Sequence, residues 1–148
     1  MRILLATDAF PPVCGGSGWS TYELARGLRA RGHDVTVAQV QGGSPAGPWR
    51  SYDGFRVRTI ATAAPPVPFV RNYVRNERLW ARAARELRAI ASDARADLLH
   101  AQHVLTSPAA VEAGAAQRIP IVCTVRDYWP LCYWLTLIRD PGSRGLFP

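Results

Sequence analysis

The segment Asp8-Ala9-Phe10-Pro11-Pro12-Val13-Cys14-Gly15-Gly16-Ser17-Gly18 holds the residue types that receive an anion. An apolar run, Ile3-Leu4-Leu5-Ala6, precedes it, and Tyr22, Leu24, Ala25, Leu28 and Arg29 follow at helical spacing. Glycines let the main chain approach a ligand closely. A helix start presents unpaired N–H groups at the positive end of its dipole. Strand, glycine turn and helix start in this order predict a phosphate site at Gly15, Gly16 and Ser17, with a nucleotide diphosphate as its ligand. The alternative is that the glycines only make a turn. Gly16-x-Gly18-x-x-Thr21 is a weak dinucleotide fingerprint, because the loop from Asp8 to Gly15 is too long for a tight first turn. Gln41 also stands where an acidic ribose partner belongs.

Two further groups with chemical capacity follow apolar runs. His103 comes after Asp97–Ala101, and Arg126-Asp127 after Ile119–Val125. A neutral imidazole at His103 is suited to hydrogen-bond a ligand hydroxyl, or to assist removal of its proton; the alternative is a structural histidine. A carboxylate at Asp127 is suited to bind ligand hydroxyls or to orient His103. Arg126 beside it is placed to pair with a carboxylate. Tyr128, Trp129, Tyr133 and Trp134 form a dense aromatic group, read as a ligand-stacking or lipid-facing platform or as packing against another surface. His100 lies within its strand and reads as core. His33 follows the helix-ending Gly32, where a cationic side chain suits the dipole. Cys14 sits beside a helix start, which lowers a thiol pKa, but no histidine adjoins it, and it reads as a buried or incidental thiol. Gly-x-Ser-x-Gly is absent.

These groups need elements to position them. Arg2–Thr7 reads as a strand. A helix is expected from about Ser20 to Ala30, with Ser20-x-x-Glu23 as a capping box and Gly32 as its stop. Asp34–Val40 reads as a strand and Gln41–Pro48 as a loop rich in Gly and Pro. Phe55–Ile60 has charges interleaved and reads as a strand at an edge or half exposed. Ala64–Pro68 is a connector and Phe69–Ala94 a long helix. Asp97–Ala101 is a strand, Pro108–Gln117 a helix with proline in its first turn, and Ile119–Val125 a strand whose unbroken apolarity predicts a central place. Arg126–Pro148 is aromatic and irregular. Alternating strands and helices imply a doubly wound, mainly parallel α/β sheet. Ligands of such sheets bind beyond the carboxyl ends of the strands, so the glycine turn, Gln102-His103 and Arg126-Asp127 should share one edge.

The bulk numbers bound the rest. At 148 residues with 48% apolar content, the chain suits one domain with a packed core. The formal net charge is +7, and all 18 basic residues are arginine. The absence of lysine excludes Schiff-base chemistry and a lysine base. The positive balance favours anionic partners. Arg71, Arg75, Arg78, Arg82 and Arg85 make one stripe of the long helix, opposite Leu79, Trp80, Ala83, Leu87, Ile90 and Ala91. The stripe is read as a solvated face or as a contact for anionic membrane. It accounts for the arginines without a nucleic-acid motif, which argues against DNA or RNA. Cys14, Cys123 and Cys132 supply neither a disulfide framework nor a zinc pattern, and a reduced, cytoplasmic setting is expected. The N-terminal apolar run is too short for a signal peptide.

Three motifs together resemble a known family. They are Phe10-Pro11-Pro12-x-x-Gly15-Gly16 with Glu23-Leu24-Ala25-x-x-Leu28-x-x-Arg31-Gly32-His33-x-Val35-x-Val37, then Asp97-Leu98-Leu99-His100-Ala101-Gln102-His103, then Ile119-Pro120-Ile121-Val122-x-Thr124-Val125-x-Asp127-Tyr128-Trp129-x-x-Cys132. The pattern resembles the N-terminal domain of family-4 glycosyltransferases. The resemblance implies one half of a GT-B fold: a Rossmann-like, doubly wound sheet with helices on both faces. It implies transfer of a sugar from a nucleotide diphosphate sugar to an acceptor glycan or lipid-linked acceptor, usually with retention and with no essential metal or other cofactor. By the same resemblance, Gly15, Gly16 and Ser17 approach the donor diphosphate, His103 and Asp127 serve the acceptor, and Gln102, Arg126 and Tyr128 line its site. Residues 1–148 then form a single acceptor-side domain, the donor domain is absent, and the chain alone is expected to be a poor catalyst, whether as a fragment, a truncated gene product or a split subunit that works with a C-terminal-domain partner chain. Many relatives carry a histidine where Arg126 stands. The reading from another class is a non-catalytic partner module built on the basic helix face and an exposed interdomain surface. A nicotinamide or flavin oxidoreductase is a weaker third, given Gln41.

Overall fold

The computed structural model describes residues 1–42, 47–62, 67, 70, 73–74, 79–103, 106–126 and 128. In chain order its elements are β1 (Arg2–Thr7), α1 (Gly16–Ala30), β2 (Asp34–Gly42), β3 (Arg50–Tyr52), β4 (Phe55–Thr62), α2 (Leu79–Asp93), β5 (Leu98–Ala101), α3 (Ser107–Gln117) and β6 (Ile121–Cys123). The strands form one sheet in the order β3-β4-β2-β1-β5-β6. All neighbours are parallel except β3, which pairs antiparallel with β4.

Strand alternation divides the core between the two faces. From β1, Ile3 and Leu5 point to one face, where they join Val35, Val37, Phe55 and Val57 under Ala25, Leu24 and Leu28 of α1. Leu4 and Ala6 point to the other, with Ala38, Val40, Ile60, Leu99 and Ala101. That face is covered by Ala83, Ala84, Leu87, Ile90 and Ala91 of α2 and by Ala109, Ala110 and Ala113 of α3. The expected doubly wound α/β sheet with helices on both faces is therefore present, and it is Rossmann-like.

Several boundaries differ from the sequence reading. The helix α1 begins at Gly16, four residues before the expected start, with Gly15 as its N-cap. Ser20 is thus interior and does not cap, because the glycines already turn the chain into the helix. The stop at Gly32 is as expected: it has φ +81°, its N–H donates to Arg29 O at 2.9 Å, and the His33 N–H donates to Leu28 O at 3.2 Å. Of the two readings for β4, the edge position fails, since β3 pairs on its outer side, and the half-exposed one holds, with Arg56 exposed between buried Phe55 and Val57. Ile119–Val125 was expected at the centre, but among the described residues its strand, β6, is terminal and spans only Ile121–Cys123. It pairs on one side with β5, and Val122 is 44% exposed.

Other expectations fall outside the described residues: most of the Ala64–Pro68 connector, most of 69–78 with Arg71, Arg75 and Arg78, and the tail from 129 with Trp129, Tyr133 and Trp134. Arg82 and Arg85 are described and lie exposed on α2, opposite its buried face. No described helix is long and apolar enough to cross a membrane.

Candidate functional site

The strands β2 and β4 build outward from one side of β1, and β5 and β6 from the other. The order of the chain therefore reverses between β1 and β5. Their carboxyl ends border the crevice where ligands of this sheet class bind. Asp8 follows β1, and Gln102 and His103 follow β5.

Asp8 Oδ1 and His103 Nε2 stand 3.2 Å apart, and neither atom touches solvent. The His103 side chain is 11% exposed and that of Asp8 30%. Asp8 belongs to the segment that the sequence singled out, yet its role as the neighbour of His103 was missed. Its place immediately after the first apolar run was the available signal. The His103 carbonyl accepts from the Thr106 and Ser107 N–H groups at 3.0 and 2.9 Å, which seats α3 on the same turn. The Thr106 hydroxyl reaches Ala6 O at 3.2 Å.

The segment between β1 and α1 is held by Phe10. This ring is 1% exposed and meets Tyr22, Tyr52 and Phe55 edge to face at 6.0–6.3 Å. Arg50 Nη2 donates to Pro11 O at 3.2 Å and to Gln39 Oε1 at 2.9 Å. The Thr7 hydroxyl donates to Ala9 O at 2.8 Å.

Anchored in this way, the turn presents Gly15, Gly16 and Ser17 at the head of α1. No side chain caps this helix, and no acidic residue lies in its first turn. The Gly18 and Trp19 N–H groups bond Gly15 O at 3.1 and 3.3 Å. A Cβ at Gly15 or Gly16 would meet nothing within 4 Å, whereas one at Gly18 would lie 2.6 Å from both Cβ and Sγ of Cys14. Gly18 is therefore a packing residue, and Gly15 and Gly16 border open space. Burial raises the Cys14 pKa, so its sulfur is a thiol.

Gln102 is fully buried. Its carbonyl accepts from Arg126 Nη2 at 2.5 Å, and its Nε2 donates to Thr124 Oγ1 at 3.3 Å. Arg126 Nη1 donates to Ser20 Oγ at 2.6 Å. Thr124 Oγ1 and His100 Nε2 lie 2.8 Å apart. Burial, then the charge of Arg126, lowers the His100 pKa. A neutral His100 accepting from Thr124 completes a chain satisfied at every link: guanidinium to amide oxygen, amide nitrogen to hydroxyl, hydroxyl to imidazole. Tyr128 is 51% exposed, and Asp127 lies outside the described residues. Among the described residues, no group of three or more His, Cys, Asp or Glu is placed to hold a metal ion.

No curated protein matches this chain. Among solved structures, a universal stress protein from Archaeoglobus fulgidus is similar at 15% identity and a TM-score of 0.38, over 83% of this chain and 92% of that one. At that level the likeness carries no argument about function. The model of Glycosyltransferase Family 4 matches residues 14–146, a span that runs from the glycine turn through all of the sheet but β1, and the chain belongs to that family.

Proposed function

We propose that this domain serves sugar transfer from a nucleotide diphosphate sugar to an acceptor hydroxyl, with the diphosphate at Gly15, Gly16 and Ser17. The observation that carries this reading is the uncapped head of α1 beside open space at Gly15 and Gly16. In the transfer, the acceptor oxygen bonds to the anomeric carbon as the bond to the diphosphate oxygen breaks. Negative charge grows on that leaving oxygen. Fixed main-chain N–H groups stabilise such charge without reorganising as it forms. His103, paired with Asp8, is suited to accept a hydrogen bond or the proton from the acceptor hydroxyl. Asp127, Arg126 and Tyr128 belong to the acceptor side of the same proposal, while Gln102 lends its amide to Arg126 and Thr124. The exposed Arg82 and Arg85 fit contact of this face with an anionic membrane carrying a lipid-linked acceptor. Retention and a cytoplasmic setting are parts of this proposal as well.

The test is calorimetric titration with inorganic pyrophosphate and then with nucleoside diphosphates. Gly15→Ala and Gly16→Ala meet no protein atom, so both variants should fold as the parent does. Each should weaken pyrophosphate binding by roughly tenfold, because a methyl then occupies the ligand's space. Equal affinity in parent and variants would refute the assignment.

A further inference from the structure

We infer that Arg126 is a positioning residue, which locks the head of α1 and the turn carrying His103 into one register. Its value for sugar transfer rests on the function proposed above, but the lock itself does not. The guanidinium is a rigid fork of donors. One tip holds Ser20 Oγ in α1 at 2.6 Å, and the other holds Gln102 Oε1, one residue before His103, at 2.5 Å.

Gln102 is an anchor with little freedom. It is fully buried, its N–H donates to Ala6 O at 2.9 Å, and its Nε2 is held by Thr124. Arginine only donates, so it also fixes which end of the Gln102 amide faces it. Ser20 lies one turn into α1, on the helix whose first N–H groups border the open space. The helix head and the β5 turn are far apart in sequence and come from opposite sides of the switch point. The fork joins them directly, across 106 and 24 residues of chain. Lysine at this position would keep the charge but offer a single tip, which cannot span both acceptors.

Amide hydrogen exchange on the intact 148-residue chain tests this without any ligand. Arg126→Met should speed exchange by roughly tenfold at Gly18, Trp19, Thr106 and Ser107, the size expected for losing charge-assisted hydrogen bonds. Amides of Leu5, Val37 and Leu99 should not change. Arg126→Lys should protect one of the two sites and not the other. Ser20→Ala is the milder variant. It should loosen Gly18 and Trp19 in the parent and add nothing in the Arg126→Met background. A uniform rise at all amides, no rise at the four named, or full protection by lysine would each overturn the inference. Failure of pyrophosphate to bind would count against the site assignment and leave this test standing.

Discussion

Gly18→Ala is the sharpest probe of how the glycine turn is built. Alanine in place of glycine within a helix ordinarily gains about 1 kcal/mol. Here the added Cβ would sit 2.6 Å from Cβ and Sγ of Cys14 and 3.2 Å from the Ala9 carbonyl carbon. Carbon contacts are comfortable at about 3.5–4.0 Å, so the overlap with Cys14 is close to an ångström. Overpacking of this kind costs about 1–3 kcal/mol. The net expectation is a loss of about 1 kcal/mol. Cys14→Ala would not relieve it, since the conflict includes Cβ. Cys14→Gly removes both conflicting atoms and leaves only the Ala9 contact. In that background Gly18→Ala should become neutral or stabilising, a coupling of about 2 kcal/mol between two residues in contact. Urea unfolding of the four proteins measures it, with the midpoint moving and the slope unchanged. If Gly18→Ala shifts the midpoint equally with and without the Cys14 side chain, the account of this turn is wrong.

A second close contact lies at Gly114 in α3, where a Cβ would intrude on the Ile121 side chain and come within 3.0 Å of Ile119 O. Gly114→Ala should cost about 2 kcal/mol and lower Tm by several degrees, and Ile121→Ala should recover part of the loss in the double variant; thermal melts of the parent, the two single variants and the double variant measure this. The folded state also holds His100 below its ordinary 6.5, so the unfolded chain binds more protons just below that pH. Stability is therefore full above about pH 6.5 and falls as pH drops through the lowered folded-state value. Urea midpoints at pH 5 and pH 7 should show that fall in the parent and a smaller one in His100→Gln.

Much of this architecture was legible because it depends on local pattern. The apolar runs of β1 and β5, the periodicity of α1 and the stop at Gly32 are short-range signals, and the structure agrees with them. Asp53-Gly54 was an equally local signal that went unread. Both residues have positive φ (47° and 77°) and join Tyr52 to Phe55 as a two-residue hairpin. Recognising it would have revealed β3 and moved β4 inward from the edge. The strand β6 misled for a different reason. Apolarity reports burial against something, but it does not report which neighbours stand on each side.

The order of residues along the chain determined that a glycine turn enters a helix from a buried strand, and that His103 and Arg126 follow strands. Those facts need only steric and hydrogen-bonding preferences a few residues long. Folding decided the pairings: His103 against Asp8, and Arg126 between Ser20 and Gln102. These partners lie 24–106 residues apart. They meet because parallel pairing of β1 with β5 and of β5 with β6 sets the strand ends side by side. Register between distant strands is a property of the whole sheet, so no local window of sequence contains it.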